Sequence, residues 1–235
     1  MQPVLQCLFR LLEIKVAAWI PFTCSYSVKL NHAYSVLTGF LETVMKHIRE
    51  EIMSKVIVPQ PNAKELKAFD MAGIRMRTSM TEEEFIAMAV TYLSTHNVLH
   101  LATCKDNEPR CTPVEYFNNG LIVYMFCEGG GKIANMKVQE KVSYSIADPY
   151  NPGVDFFGAS GMQVWGVAHV FKKNEDIERF REIRKYSRYM KQLEEQGLSE
   201  AADSYNFNIV TIVPYKIRRL CYREGLRNVI WKSGE

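Results

Sequence analysis

The stretch that decides the fold is residues 98–126, VLHLATCKDNEPRCTPVEYFNNGLIVYMF. It holds three runs rich in β-branched, aliphatic and aromatic residues, at Val98–Thr103, Thr112–Phe117 and Leu121–Phe126. A polar segment at 105–109 separates the first two runs, and Asn118-Asn119-Gly120, which contains a strong hairpin signal, separates the last two. The pattern predicts three consecutive antiparallel strands joined by hairpins.

The chain around this stretch alternates further strands with a few helices. Thr81, followed by three glutamates, opens a predicted helix through Leu93, and Asn174–Gln196 carries apolar residues at helical spacing. More strands are predicted at Val142–Ala147, Met162–Phe171, Phe207–Val213, Lys216–Tyr222 and Leu226–Trp231. Short strands linked mainly by hairpins favour an antiparallel barrel over a parallel doubly wound sheet. We therefore expect a mainly β fold with peripheral α-helices.

Composition and charge exclude several classes of protein. With 235 residues, 47% of them hydrophobic and 23% charged, the chain lacks the bias of a disordered, collagen-like or coiled-coil sequence. A net charge of +3, without a concentrated basic face, argues against a nucleic-acid partner. The apolar run at 4–22 is interrupted by Arg10, Glu13 and Lys15 and has no basic segment before it, so neither a membrane span nor a signal peptide is expected. The sequence predicts a cytoplasmic protein that does not enter the membrane.

Composition also predicts how the chain is divided. Pro59 and Pro61 interrupt a short β-like run, and a mixed polar stretch follows, which is typical of an arm or linker at 53–79. A chain starting at Met53 would retain every motif described below. Residues 1–52 are therefore predicted to be an N-terminal extension of unknown role, or no part of the native protein. Residues 80–235 are predicted to form the barrel domain.

The cysteines and histidines do not form a recognisable metal motif. The six cysteines include no CxxC pair, and a chain with a proper core needs no disulfide framework, so we expect reduced thiols packed as small hydrophobic groups. Cys104 and Cys111 flank one predicted hairpin and are a redox candidate. His96 and His100 would share a face only on a helix, and His100 enters a strand. No metal site is predicted.

A glycine triplet with a lysine, Gly129-Gly130-Gly131-Lys132, precedes a short predicted helix. Glycines let the backbone approach an anion closely, the helix start offers unpaired N–H groups, and the lysine adds a positive charge. This combination suits a phosphate. It is not an ATP-binding P-loop, because that motif needs another glycine where Phe126 stands and a hydroxyl residue where Ile133 stands.

Several motifs occur together in a fixed order. They are PRCTPV at 109–114, VYMF at 123–126, GKIANM at 131–136, KVSY at 141–144, QVWGVA at 163–168 and VPYKI at 213–217. In this order and spacing, residues 80–235 resemble the pyridoxamine 5′-phosphate oxidase-like, FMN-binding split-barrel family. The resemblance implies a six-stranded antiparallel split β-barrel. It also implies a homodimer that holds FMN in a groove at the subunit interface.

The resemblance also implies which residues meet the cofactor. Arg110 and Lys132 would hold the FMN phosphate, and Asn135 would face it from the short helix. Thr112, Pro113 and Val114 would run beneath the isoalloxazine ring. The remaining implied contacts are Met125 and Phe126 from the third strand, and Gln163, Trp165 and Trp231 from the partner chain.

Departures from the family pattern bear on activity. Glu115 replaces a lysine of the oxidase, Gly131 replaces an arginine, and the chain ends soon after Trp231, without the Arg/His segment that holds a vitamin B6 substrate. We therefore expect an FMN-dependent oxidoreductase acting on an unidentified small molecule rather than on pyridoxamine phosphate.

Three alternatives remain open at the level of sequence. The sequence shows no dedicated general acid or base, so a non-enzymatic flavin or haem binding protein, serving as a redox sensor or cofactor carrier, is an alternative. Haem would use His169 as its ligand. The deazaflavin cofactor F420 is an alternative to FMN.

Overall fold

The computed structural model describes residues 55–198, 200 and 204–234 of the chain. The strands in these segments are β1 Lys55–Ile57, β2 Val98–Lys105, β3 Glu108–Glu115, β4 Phe117–Asn119, β5 Ile122–Cys127, β6 Lys141–Ala147, β7 Ser160–Lys172, β8 Asn208–Cys221 and β9 Leu226–Lys232. The α-helices are α1 Ala63–Met71, α2 Glu82–Thr95, α3 Gly131–Val138, α4 Ile177–Arg184 and α5 Arg188–Glu195. The predicted extension at 1–52 lies outside the described residues.

Six of the strands form a barrel in the order β5-β8-β7-β6-β2-β3, with antiparallel pairing between hydrogen-bonded neighbours. The barrel closes where β3 contacts β5. Strand β8 pairs with β7 along its length, but its other side pairs first with β5 and then with β9. The barrel is split because β8 leaves β5 partway along its length and pairs with β9 instead. The predicted mainly β fold, a six-stranded antiparallel split β-barrel with peripheral helices, is confirmed.

The barrel interior follows the alternation of the strands. On β2, Leu99, Leu101 and Thr103 are buried, while the residues between them are exposed or half-buried. The core also takes in Phe85 and Leu93 from α2, and Ile133 and Met136 from α3. Helix α2 begins at a capping box in which the N-cap residue Thr81 and Glu84 bond each other's backbone N–H, as its sequence predicts.

Helices α4 and α5 cover a second apolar cluster on the outer side of β5. Phe180, Ile183 and Met190 pack there against Tyr124 and Ile209. Side chains on β5 therefore alternate between two apolar cores, because its other residues, Val123 and Met125 among them, face the barrel interior. Within the described segments, no helix combines the length and apolarity needed to cross a membrane.

The segment before α2 lies along β9. Strand β1 pairs with β9, placing Val56 opposite Trp231. The N–H of Arg77 donates to the carbonyl of Gly225 at 3.0 Å. Gly225 has a φ of 70°, and a Cβ there would lie 2.2 Å from the carbonyl oxygen of Arg75, so this turn needs glycine. The boundary between the arm and the domain at residue 80 stays a prediction.

The first hairpin is tighter than predicted. The expected loop at 105–109 is a two-residue turn at Asp106 and Asn107, whose φ angles of 52° and 62° these side chains tolerate well. Strand β3 therefore begins at Glu108. It also ends earlier than predicted, and Phe117 belongs to the separate strand β4, which pairs with β5.

Two other boundaries differ from the sequence prediction. The single helix predicted at Asn174–Gln196 is two helices, because Ser187 accepts a hydrogen bond from the N–H of Met190 and caps α5. The two strands predicted at 207–213 and 216–222 are one strand, β8, which continues past Pro214 by bulging at Tyr215. Opposite Pro214 stands Gly166, where a Cβ would lie 2.7 Å from the carbonyl oxygen of Val213.

Candidate functional site

A positively charged cluster forms where β3 meets the start of α3. Antiparallel pairing with β2 sets Arg110 opposite Thr103. Helix α3 starts at Gly131, after Gly130 turns the chain with a φ of 107°. A Cβ on Gly131 would lie only 2.9 Å from Nη1 of Arg110, so the guanidinium lies against the first residue of the helix. Lys132, the next residue, is half-buried.

One buried hydrogen bond fixes α3 against the barrel. Nδ2 of Asn135 donates to Oγ1 of Thr103 at 3.1 Å, and both residues are buried. Because Thr103 is also the partner of Arg110 across the strands, it connects the helix to the strand that carries the arginine. Sequence reasoning missed Thr103. The signal that could have found Thr103 is a polar residue at the next inward-facing position of the strand after Leu99 and Leu101.

The donors of this cluster suit a phosphate. No side chain caps the N-terminus of α3, and the carbonyl of Gly130 accepts from the N–H groups of Ile133 and Ala134, leaving the N–H groups of Gly131 and Lys132 outside that pairing. Burial raises the pKa of the Cys127 thiol at the end of β5, and the nearby charge of Lys132 opposes that rise. Two cationic side chains and a helix N-terminus thus converge at one end of β3 and β5.

Strand β3 continues from this cluster with one side turned inward. Thr112 and Val114 are half-buried and lie opposite Leu101 and Leu99, so they face the same side as Arg110. Val114 packs against the barrel core. Pro113 is exposed and faces the outer side of the sheet. The three predicted ring contacts therefore divide between the two faces of β3.

Two predicted contacts have their side chains enclosed. Met125 is 0% exposed and lies in the barrel core. Trp231 is buried, and its Nε1 donates to Oε1 of Glu82 at 3.1 Å, at the first turn of α2. In the single chain neither side chain is open to a ligand, so a contact from Met125 would come from its backbone.

Gln163 and Trp165 lie on the outer face of the sheet, away from the inward-facing Arg110. The Nζ of Lys216 lies 4.3 Å from the centroid of the Trp165 ring, and Arg218 donates to Oε1 of Gln163. Across the neighbouring strands, Trp165 stands opposite Ser143 on β6. The structure thus does not bring these two residues to the charged cluster within one chain.

Phe126 borders a cavity of about 520 Å³ between the C-terminus of α2, strands β4 and β5, and the helix pair α4–α5. We call it the seam cavity. It extends from Glu115 at the end of β3 to Glu128 just after β5, and the helix pair α4–α5 covers it with Tyr186 and Tyr189. Phe126 itself packs with Phe117, Phe180 and Phe207, at ring-centroid distances of 4.9, 5.7 and 5.8 Å.

A hydrogen bond between a histidine and a carboxylate joins the C-terminus of α2 to the end of β6. Nε2 of His96 lies 2.8 Å from Oδ1 of Asp148, and the hydroxyl of Tyr92 donates to Oδ2 at 3.2 Å. Burial alone would raise the pKa of Asp148, but hydrogen bonds from Ser160, His96 and Tyr92 hold it below its usual value. Burial, reinforced by the Asp148 charge, raises the pKa of Tyr92 to about 12. The pair connects elements of the fold.

The remaining candidate ligands are dispersed. Among the described residues, no group of three His, Cys, Asp or Glu side chains could hold a metal ion. His100 and His169 are exposed on β2 and β7. Cys104 and Cys111 are exposed free thiols on adjacent strands, opposite Pro109 and Ala102, while Cys127 and Cys221 are buried. Cys7 and Cys24 lie outside the described residues.

Comparison with models of known protein families finds a match for this chain. Residues 86–221, more than half of the chain, match the family model described as pyridoxamine 5′-phosphate oxidase. No curated protein matches significantly.

Similar solved structures share little sequence with this chain. A heme binding protein from Mycobacterium smegmatis is 18% identical, with a TM-score of 0.46 over 68% of this chain and 60% of that one. A conserved hypothetical protein from Mycobacterium tuberculosis is 19% identical, with a TM-score of 0.45 over 65% and 94%. A FAD-binding protein from Mesorhizobium loti is 16% identical, with a TM-score of 0.43 over 63% and 94%.

Proposed function

The chain belongs to the pyridoxamine 5′-phosphate oxidase-like family, and from that premise we propose that it is a flavoprotein that binds FMN and acts as an oxidoreductase on a small molecule. One observation carries the proposal: the guanidinium of Arg110 lies against the first residue of α3, directly beside Lys132. A dianionic phosphate is best met by such a pair of cations at a helix N-terminus.

The residues present fit the phosphate group of FMN. Gly131 leaves room for the arginine, since a side chain at this position would meet Nη1 of Arg110 at 2.9 Å. Asn135 and Thr103 fix the helix against the strand. Arg110 and Lys132 would hold the phosphate, and the uncapped start of α3 would add N–H donors.

The residues beyond the phosphate fit a flat aromatic ring. Thr112 and Val114 offer a half-buried strand face to the ring, whereas the side chain of Phe126 packs in the second apolar cluster on the other side of β5. When bound, the flavin ring would accept and return electrons, and the chain would position it and exclude water from one side.

We extend the proposal to a homodimer with the cofactor at the subunit interface. Gln163 and Trp165 lie on the outer sheet face and do not reach the charged cluster of their own chain. A second copy is therefore the means by which Trp165 of the partner subunit would approach the ring. The exposed Pro113 lies on the same outer face, two strands beyond β6.

The test of the phosphate site compares two lysines. Lys132→Ala is expected to weaken FMN binding about tenfold to a hundredfold, because it removes a charge-assisted contact to the phosphate. Lys141→Ala, an exposed lysine on β6, serves as the matched control and should bind FMN like the unmodified protein. Fluorescence titration with FMN measures both, and equal affinities for the two variants would place the phosphate elsewhere.

A separate measurement distinguishes an enzyme from a cofactor carrier. The FMN-loaded protein is mixed anaerobically with NADH or NADPH, and the bleaching of the flavin spectrum is followed. An oxidoreductase is expected to be reduced and then to pass electrons to an added acceptor over many turnovers. A carrier would retain its oxidised spectrum. The same spectrum separates flavin from haem, and parallel titration with deazaflavin F420 tests that alternative.

A further inference from the structure

The seam cavity has walls that the phosphate site does not require. Its volume of about 520 Å³ lies within the range of small-molecule pockets. Aromatic rings line it from two directions: Phe117 and Phe126 from the strands, and Tyr186 and Tyr189 from the α4–α5 pair. Tyr186 is 42% exposed and Tyr189 52% exposed. Large aromatic side chains this exposed beside a cavity are available to a ligand.

The rings beneath these tyrosines are held in place by stacking. Tyr186 lies parallel to Tyr124, with an interplanar angle of 10° and centroids 6.1 Å apart. Phe117, the cross-strand partner of Tyr124 on β4, stacks on the same face of this strand pair, 5.6 Å from Tyr124. Because Phe180 and Met190 anchor the two helices in the second core, the aromatic wall is fixed before any ligand arrives. A preformed wall lowers the entropic cost of binding.

The charges at the cavity are unbalanced towards negative. Glu115 and Glu128 both line it, both are exposed, and neither has an ion-pair partner among the described residues. The cation that also lines it, Arg188, donates through Nη2 to the carbonyl of Ser94 at 2.8 Å, at the C-terminus of α2 where the helix dipole favours positive charge. His96 likewise directs Nε2 to Asp148. The lining therefore carries two carboxylates against one arginine, whose charge persists but whose Nη2 is already engaged with a backbone carbonyl.

We propose that the seam cavity binds an aromatic organic cation. Aromatic faces attract a cation through their quadrupole and stack on a flat ring, and the two glutamates supply the opposite charge. An anionic ligand of the same size would face both carboxylates. The proposal concerns binding in the cavity itself; that this cation is the reactant presented to the flavin rests on the proposed function.

The experiment uses two fluorescent probes of opposite charge. Thioflavin T is an aromatic cation, and 8-anilinonaphthalene-1-sulfonate is an aromatic anion. Each is titrated into the full-length protein without FMN. We expect the cation to bind with a Kd at least about tenfold lower than that of the anion. Equal affinities, or tighter binding of the anion, would overturn the inference.

Charge-neutralising variants test whether the preference for the cationic probe arises from the glutamates of the seam cavity. In Glu115→Gln/Glu128→Gln, the ratio of the two affinities should fall to about twofold or less, because the carboxylates that favour the cation are gone. The matched control, Glu140→Gln/Glu195→Gln, removes two exposed glutamates that do not line the cavity and should keep the preference. An unchanged preference in the first variant would contradict the assignment of the site.

A substitution at Tyr189 tests the aromatic wall. Because this side chain is exposed, removing its ring is not expected to disturb folding. Tyr189→Ala should weaken Thioflavin T about fivefold, and Tyr189→Phe, which keeps the ring face, should restore it to within about twofold. An equal loss of Thioflavin T affinity in both variants would show that the ring face of Tyr189 does not contribute to binding.

FMN titration of the same samples separates this inference from the proposed function. If FMN binds but the probes show no charge preference, only the cavity assignment fails. If the preference survives and FMN does not bind, only the flavin assignment fails.

Discussion

At the scale of single residues, Gly131 controls the geometry of the phosphate site. It lacks the Cβ that would lie 2.9 Å from Nη1 of Arg110, and its own φ is not in the left-handed region. An added methyl group would therefore displace a flexible guanidinium without straining the backbone. The position separates effects on the site from effects on the fold.

Gly131→Ala is expected to weaken FMN binding several-fold while leaving the thermal midpoint unchanged or slightly raised, because alanine is the better helix former. Gly129→Ala is the matched control, since a Cβ at Gly129 meets nothing within 4 Å. FMN titration and thermal unfolding measure the two effects. A large loss of stability in Gly131→Ala would show that the glycine is needed by the fold, and equal FMN affinity in both variants would show that Arg110 does not hold the phosphate beside Gly131.

Asp148 makes the free energy of unfolding depend on pH in the acid range. Its pKa is lower folded than unfolded, so its contribution is fully present above the unfolded value of about 3.9 and is lost as the pH falls through the folded value. Asp148→Asn is therefore expected to reduce the free energy of unfolding at neutral pH, and the deficit should shrink as the pH falls below about 4.

Urea unfolding at neutral and acid pH measures this deficit. Asp106→Asn, in the exposed hairpin turn, is the control and should show no such convergence. A deficit for Asp148→Asn that stays constant with pH would mean that its hydrogen bonds do not depend on the carboxylate charge.

At the scale of elements, local chemistry explains what the sequence could and could not predict. Thr81 and Glu84 form a capping box three residues apart, so the start of α2 is legible from sequence. The break between α4 and α5 is less legible, because Ser187 lies within a helical repeat and acts as a cap only through its hydrogen bond to Met190. The continuity of β8 past Pro214 depends on Gly166 of another strand, which no local pattern reveals.

Ser187→Ala is expected to lower the free energy of unfolding by about 1 kcal/mol, because it removes the N-cap of α5. Ser187 is buried, so no water replaces the lost bond easily. Thr91→Ala, an exposed position within α2, is the control and should change stability by less than about 0.5 kcal/mol. Urea denaturation measures both, and similar small effects would contradict the capping role.

The candidate site was predictable only in part for the same reason. Arg110 and Lys132 are separated by 22 positions, and the strand-to-helix contact that joins them follows from the family pattern rather than from local periodicity. Trp231, which the resemblance implies as a contact from the partner chain, packs in the core of its own chain and donates to Glu82, and its role at the ring stays a prediction. Glu128 and Tyr189 gave no signal, because the cavity they share exists only after α5 packs over β5.

At the scale of the whole molecule, the outer sheet face is the surface on which two copies of the chain would meet. This face presents Gln163, Trp165 and Pro113, with Ala102 near its centre on β2. Ala102 is half-buried and lies opposite Cys111 and Ser143 on its two neighbouring strands. The proposed dimer would bury this surface.

Sedimentation should therefore give twice the 27.1 kDa of one chain. Ala102→Arg is expected to shift the protein towards the monomer and to weaken FMN binding together, because a long charged side chain would separate the paired faces. Ala87→Arg, on the exposed side of α2, should leave both unchanged. A monomeric unmodified protein that binds FMN fully would contradict an interfacial cofactor.

The visible absorption spectrum of the purified protein during titration with FMN tests the central claim most directly. We predict that bound FMN shows the perturbed flavin spectrum of an enclosed ring and saturates at one FMN per chain. A protein that carries no flavin, leaves the FMN spectrum unchanged throughout the titration, or shows only a haem Soret band would contradict the account.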